Sequence, residues 1–208
     1  MTQPEKTSEI EPRLAAQAIA GDLQAQERFL LHYYSFIRAT LIQLTFGRID
    51  DLEELQQQAM IRVTRGLAHF AQESQPSTWV RGVCANVVKD HLRRKTRRQR
   101  AEMAHQRLTE EANFLEPGAT LEARDMLNIV RSILDTLSPE QCTAFVLRVL
   151  YGHAVEEVAR MMGASKAATR ARLYFARRKV LSQLKQELGD RDSDVVSQVM
   201  REVNADEL

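Results

Sequence analysis

Apolar residues recur every three or four positions along most of the chain and nowhere alternate at period two for long, which predicts an all-α protein. Leu14, Ala15, Ala18 and Ile19 mark a first helix, preceded by Ser8 and Glu11 at capping-box spacing. Gly21-Asp22 closes it and caps a second helix, with Leu23, Phe29, Leu30, Tyr33, Ile37, Leu41 and Leu44 as its apolar face. Gly47 ends that helix, and Asp50 or Asp51 starts a third with the stripe Leu55, Ala59, Met60, Val63 and Leu67. The polar segment AQESQPS, residues 71–77, contains Pro76 and reads as a loop. Thr78 then caps a fourth helix whose stripe is Trp79, Val83, Val87, His91 and Leu92.

Periodicity weakens over residues 101–120, where Pro117-Gly118 interrupts an acid-rich stretch, so this region reads as a linker. A second module opens with Met126, Ile129, Val130, Ile133, Leu134 and Leu137 on one helix face. Ser138-Pro139-Glu140 is a helix start, with serine at the cap and proline at the first helical position. The helix through Phe145, Val146, Val149 and Leu150 ends at Gly152. Next come Val155, Val158, Ala159 and Met162, then Gly163 where a helix stop needs positive φ, then Ser165 as the cap of another helix. That is the pattern of a helix-turn-helix. The expected architecture is therefore two small helical domains joined by a linker: a four-helix N-terminal module over 8–100, the linker over 101–120, and a helix-turn-helix module over 121–188. Residues 189–208 form an acidic tail in which Val195, Val196, Val199, Met200 and Val203 keep helical spacing after Asp192 or Ser193. It is either a loosely docked helix or a segment that folds back over the basic helix before it.

Charge changes the picture more than composition does. The 208 residues are 44% hydrophobic and 27% charged, ordinary for a globular protein, and the formal net charge is only +1. Beneath that near-balance the charges are segregated. From Arg160 to Lys185 there is no acid, yet Arg160, Lys166, Arg170, Arg172, Arg177, Arg178, Lys179 and Lys185 all occur. Arg81, Lys89, Arg93, Arg94, Lys95, Arg97, Arg98 and Arg100 stand against Asp90 alone. Fields act over roughly 8–10 Å at physiological salt, so such tracts set the choice of partner locally whatever the total. A helix-turn-helix with a basic second helix fits the DNA major groove.

Other chemistry is weakly represented. Cys84 and Cys142 lie far apart in apolar helical stretches with no ligand-spaced neighbours, which favours buried free thiols in a reducing compartment. His32, His69, His91, His105 and His153 are scattered, and no phosphate loop, nucleophile elbow or zinc-protease motif occurs. The expectation is no catalytic residue, no metal and no cofactor. No apolar run approaches the ~20 residues of a membrane span, and no signal peptide opens the chain, so a cytoplasmic protein without membrane insertion is expected.

The two modules in this order resemble the extracytoplasmic-function (ECF) sigma factors of bacterial RNA polymerase. Residues 51–70, DLEELQQQAMIRVTRGLAHF, are similar to the family's D-x-E-D-L-V-Q-E-x-F-L-R-V-x-R-x-L-x-x-F. Residues 77–94, STWVRGVCANVVKDHLRR, are similar to T-W-L-x-x-I-A-x-N-x-x-x-D-x-L-R-R. The second module, from Leu137 to Leu181, resembles a pattern that closes on G-x-S-x-x-T-V-x-x-R-L-x-R-A-R-x-x-L. The likeness covers roughly Arg13 to Leu188.

The resemblance implies particular roles. Glu54, Gln57 and Gln58 would dock on core polymerase, although Gln58 stands where the family usually has Glu and so replaces a charged contact with a neutral one. The loop with Ser74 and Gln75, together with Asn86, would capture unstacked bases of the minus-ten element. Lys89, Arg93, Arg94, Arg97 and Arg98 would hold phosphates there. Trp79 is either a wedge against the duplex or an anchor at the helix start. In the second module Thr169, Leu173, Ala176 and Val180 would form the buried stripe of a recognition helix. Lys166, Arg170 and Tyr174, flanked by Arg172, Arg177 and Arg178, would then meet the minus-thirty-five element, with the split between base-reading and phosphate-holding arginines open. The implied partners are core RNA polymerase, promoter DNA and an anti-sigma factor. A stand-alone helix-turn-helix regulator is the alternative.

Overall fold

A computed structural model describes residues 12–46, 52–102 and 121–188. Among these, eight helices and no strand occur, as the periodicity predicts. They divide into two units, each with its own core: α1 (Pro12–Ile19), α2 (Leu23–Leu44), α3 (Leu52–Leu67) and α4 (Pro76–Glu102), then α5 (Leu121–Asp135), α6 (Pro139–Val149), α7 (Val155–Met161) and α8 (Lys166–Leu188). Helix α4 runs to Glu102, two residues into the stretch read as linker. The capping pair Ser8 and Glu11, the breaker Gly47 with Asp50 and Asp51, most of the linker and the tail lie outside the described residues.

In the first unit α2 is the shared strut, packed against α1, α3 and α4. Its start is set locally. Gly21 takes φ +93°, reversing the chain after α1, and the Asp22 carboxylate accepts the Ala25 amide hydrogen at 2.9 Å. Phe29, Tyr33, Ile37, Leu41 and Leu44 are buried, and Phe29 and Tyr33 meet at 4.8 Å between ring centroids. Two residues depart from the expected face: Leu23 sits at the first turn and is 80% exposed, and Leu30 is only half-buried. On α3, Leu55, Ala59, Val63 and Leu67 are buried as their spacing predicts, whereas Met60 is only half-buried. One polar side chain joins them: Gln56 is buried, donating to the Tyr34 carbonyl at 3.4 Å and accepting from Arg38 at 3.3 Å. Both ends of the amide are satisfied, which is the condition for burying it.

Helix α4 departs from the sequence reading twice. It begins at Pro76, not beyond Ser77, and the Trp79 amide donates to the Gln75 carbonyl at 3.1 Å. Proline belongs at a first helical position because its fixed φ suits the helix and its missing N–H has no partner there anyway. Thr78 is therefore inside the first turn and is not the cap. The buried face is also rotated. Val80, Cys84, Ala85, Val87 and Val88 form it, while Trp79, Val83, His91 and Leu92 are half-buried. Packing against both α2 and α3 buries a broad strip rather than a single line. Cys84 lies inside that strip, and burial pushes its thiol up to about 12, against a smaller opposing effect of Arg81.

In the second unit α8 is the shared strut, packed against α5, α6 and α7. Ser138 caps α6 in a complete box: its hydroxyl accepts the Gln141 amide hydrogen at 3.3 Å, and its own amide donates to the Gln141 side chain at 3.0 Å. Cys142, Ala144, Phe145, Val146 and Leu147 are buried, but Val149 is half-buried and Leu150 exposed at the helix end. Ile133, Leu134 and Leu137 complete the core from the α5 side, with Ile129 and Val130 half-buried. Both cysteines are buried, and neither is in a disulfide. No described helix is long and apolar enough to cross a membrane.

Candidate nucleic-acid interface

The turn between α7 and α8 is built by the residues its sequence marks out. Gly163 takes φ +59°, and the next amide, Ala164, donates to the Ala159 carbonyl at 2.9 Å, closing α7. Ser165 then accepts the Ala168 amide hydrogen at 3.2 Å and opens α8. Thr169, Leu173, Ala176, Val180 and Leu184 follow at helical spacing, all buried. The Thr169 hydroxyl donates to the Ser165 carbonyl at 3.1 Å, so the group that distinguishes it from Val is satisfied within the helix. Val158, Ala159 and Met162 are buried beneath, with Val155 half-buried.

With that side committed to the core, the other side of α8 carries the charge. Arg170, Tyr174 and Arg178 are exposed and adjacent. Arg178 donates to the Tyr174 hydroxyl at 3.3 Å, and its guanidinium lies 5.7 Å from the ring centroid. Lys166 is exposed too, but it pairs with Glu156 on the first turn of α7, and that hydrogen bond holds the Glu156 carboxyl below its usual range. Arg172 and Arg177 are half-buried on the two sides of the helix. A cleft of about 480 Å³ opens between α8 and the start of α7, rimmed by Arg148, Glu156, Arg170, Tyr174, Arg177 and Arg178 over Val155, Leu173 and Leu181. It brings together four of the six expected side chains. Lys166 and Arg172 lie outside it.

Two of the rim residues, Arg148 and Glu156, were not singled out by the sequence reading. They come from α6 and α7, and only the helix packing brings them to α8. Phe175 was also passed over, although it is 56% exposed and meets Tyr174 edge-on at 5.4 Å. A signal existed: Phe175 stands at an Arg position of the motif quoted above.

The first unit presents a different surface. Arg93, Arg94, Arg97 and Arg98 are exposed on α4 beyond the buried strip. Asp90, the lone acid of that tract, pairs with Arg62 of α3 at 2.8 Å. Arg94 reaches back to α3 and donates to the Gln58 side-chain oxygen Oε1 at 3.1 Å, and the Gln58 side-chain amide donates to Glu54 at 2.7 Å. Glu54 and Gln57 are exposed and Gln58 half-buried, so the three residues expected to meet polymerase share one edge of α3 with Arg94 alongside. Asn86 is half-buried and engaged within its own helix: its amide donates to the Gly82 carbonyl at 3.1 Å, and its oxygen accepts from Lys89.

Ahead of α4, Ser74 is half-buried and Gln75 exposed, in a loop where Gln72 sits in the left-handed region at φ +57°. Such backbone costs about 1–2 kcal/mol for a residue with a Cβ. Trp79 stacks on Phe70 at 4.9 Å, and a Cβ added at Gly66 would lie 2.9 Å from its ring. The indole thus packs against Phe70 and Gly66 of α3 at the start of α4. Among the described residues no group of three or more His, Cys, Asp and Glu is placed to hold a metal ion.

Two helical units, one of them a helix-turn-helix with an exposed basic face, define a modular DNA-binding protein. The family is shown directly: the ECF sigma factor family model matches residues 12–186, and the chain belongs to that family. Sigma factor SigM of Mycobacterium tuberculosis is 25% identical over 164 residues, spanning 79% of each chain. The RNA polymerase sigma-H factor of Pseudomonas aeruginosa is 25% identical over 181 residues, 82% of this chain and 92% of its own length. In fold, the chain resembles the sigma factor RpoE of Bartonella quintana, solved with the anti-sigma factor NepR, at a TM-score of 0.56 and 22% identity over 79% of this chain and 98% of that one.

Proposed function

We propose that this ECF sigma factor reads a promoter at two points, with the work divided between its units. The observation that carries this reading is the family match across both units together with an exposed basic surface on each. The match over both units also sets aside a stand-alone regulator.

In this reading α8 enters the major groove of the minus-thirty-five element. Arg170, Arg178 and Tyr174 face base edges, and Lys166, Arg172 and Arg177 hold the backbone. The first unit handles the minus-ten element. Arg93, Arg94, Arg97 and Arg98 track phosphates, and the loop with Ser74 and Gln75 takes up a base that has left the stack. Unstacking costs a few kcal/mol, which a polar loop beside a basic helix offsets. Trp79 supports that loop from below. Asn86 and Lys89 act as a pair, since each holds the other. Glu54, Gln57 and Gln58 contact core polymerase.

The chemistry of transcription then belongs to the polymerase, and the chain supplies recognition and strand opening in the cytoplasm, with no metal or cofactor of its own. An anti-sigma factor is a fitting regulator, as in the B. quintana complex. The test is reconstitution. Core polymerase is mixed with the full chain and challenged with a promoter library in run-off transcription. Defined start sites that require the chain support the proposal, and transcripts unchanged by its addition refute it.

A further inference from the structure

The outward side of α8 is not uniformly polar. Ala167, Ala171 and Phe175 recur at i, i+4 and i+8, which lines them up along the helix, and all three are exposed. The buried stripe through Thr169, Leu173, Ala176 and Val180 occupies the far side, so the core of this unit has no use for an aromatic ring at position 175. The ring is nonetheless held in place, edge-on to Tyr174 (5.4 Å, 74°), whose own ring lies under Arg178. Arg170 and Arg178, both exposed, lie with Tyr174 in the neighbouring row, along one side of the apolar line. From Ala167 to Phe175 the line runs about 12 Å along the helix axis. That matches three to four base steps at roughly 3.4 Å each.

An apolar line bordered by guanidinium groups has one matching feature in a major groove. Among the four bases only thymine offers a methyl group there, at C5. We propose that Phe175, with Ala171 beside it, is a specificity-determining residue that reads thymine methyl groups in the upstream promoter element. This rests on the reading that α8 lies in the major groove. An arginine at position 175, as in the motif, would favour guanine instead, so the chain selects a different base at that step.

The test uses holoenzyme assembled from core polymerase and the full chain. It first selects duplex promoters from a library randomised upstream of the start site. The selected element is then rebuilt with deoxyuridine in place of each thymine in turn, a change that removes one methyl and no hydrogen-bonding group. The wild-type chain should lose about three- to fivefold in affinity at one or two positions. Phe175→Ala should weaken binding to the thymine element and erase the thymine–uracil difference, and Phe175→Arg should move the selected base at that step towards guanine. Because the side chain is exposed, both variants should keep the wild-type thermal unfolding profile. An element indifferent to every thymine methyl, or a methyl effect of equal size in Phe175→Ala, overturns the inference while leaving promoter reading intact. A holoenzyme that selects no element overturns both.

Discussion

Helices α4 and α8 are the longest in their units, 27 and 23 residues, and each carries a basic tract almost free of acids. They are nevertheless held differently. Helix α4 lies against two neighbours and buries a broad strip, Val80 to Val88, before its exposed arginines begin at Arg93. Core and charge follow one another along its length, and three of its polar groups are tied back: Asp90 to Arg62, Arg94 to Gln58, Lys89 to Asn86. Helix α8 commits one line, Thr169 to Leu184, and displays charge beside it over the same turns. The first arrangement makes a basic extension that can track a backbone. The second makes a face that can lie in a groove. Similar composition thus builds two different surfaces, separated by whether charge and core alternate around the helix or along it.

The strongest perturbations test whether the two cores stand apart. Phe29→Ala, at a fully buried site, should cost about 3–5 kcal/mol, and Leu173→Ala about 2–5 kcal/mol. Trp79 is the only tryptophan, so its fluorescence reports the first unit alone, whereas circular dichroism reports both. Phe29→Ala should shift the fluorescence transition, and Leu173→Ala should shift only the dichroism transition. Movement of the fluorescence transition by Leu173→Ala breaks the comparison.

A second pair of variants sharpens the contrast between tracking and reading. Replacing Arg97 and Arg98 together with Ala should flatten the salt dependence of promoter binding by about two in log–log slope, without altering base preference. Smaller still, Ser138→Ala removes the capping box of α6 and should destabilise the second unit by about 1 kcal/mol, read by dichroism. Arg62→Ala breaks a pair whose side chains are 41% and 36% exposed, so solvent screening limits the loss to about 0.2–1 kcal/mol in the fluorescence transition.

The smallest effect belongs to Glu156, which occupies Lys166 at neutral pH. Its carboxyl is held below the usual range by Lys166, so the contact is present above that range and disappears as pH falls through the lowered value. Glu156→Gln should release Lys166 at neutral pH, steepen the salt slope by up to about one and remove the acid dependence of the contact.

How much of this the sequence disclosed follows the same contrast. On α8 the four stripe residues implied by the resemblance, Thr169, Leu173, Ala176 and Val180, are buried, and they fit the 3.6-residue period of a helix with one buried side; Leu184 extends the stripe one turn further than expected. The strip of α4 was misplaced by a residue or so, because burial on two sides blurs the period and Trp79 drew attention to the wrong line. Gly21, Gly152 and Gly163 marked turns correctly, each at positive φ. Pro76 misled, since the same residue that breaks a helix interior also begins one. What the sequence hid was long-range. Gln56 satisfied by Arg38, Arg148 and Glu156 on the rim of the α8 cleft, and Gln58 bound to Arg94 depend on which helices meet. The expected roles at Asn86 and Lys89 need the same adjustment, because their mutual contact must open or move as a pair before either meets DNA.

The division of labour is tested most directly by Arg170→Ala, with core-polymerase affinity and promoter occupancy measured side by side on the full chain. Arg170 is exposed on α8, and among the described residues Glu54, Gln57 and Gln58 belong to the other unit. Promoter occupancy should therefore fall by about 1–3 kcal/mol, roughly five- to 150-fold, with core affinity unchanged. Loss of both together, or of core affinity alone, would contradict the account.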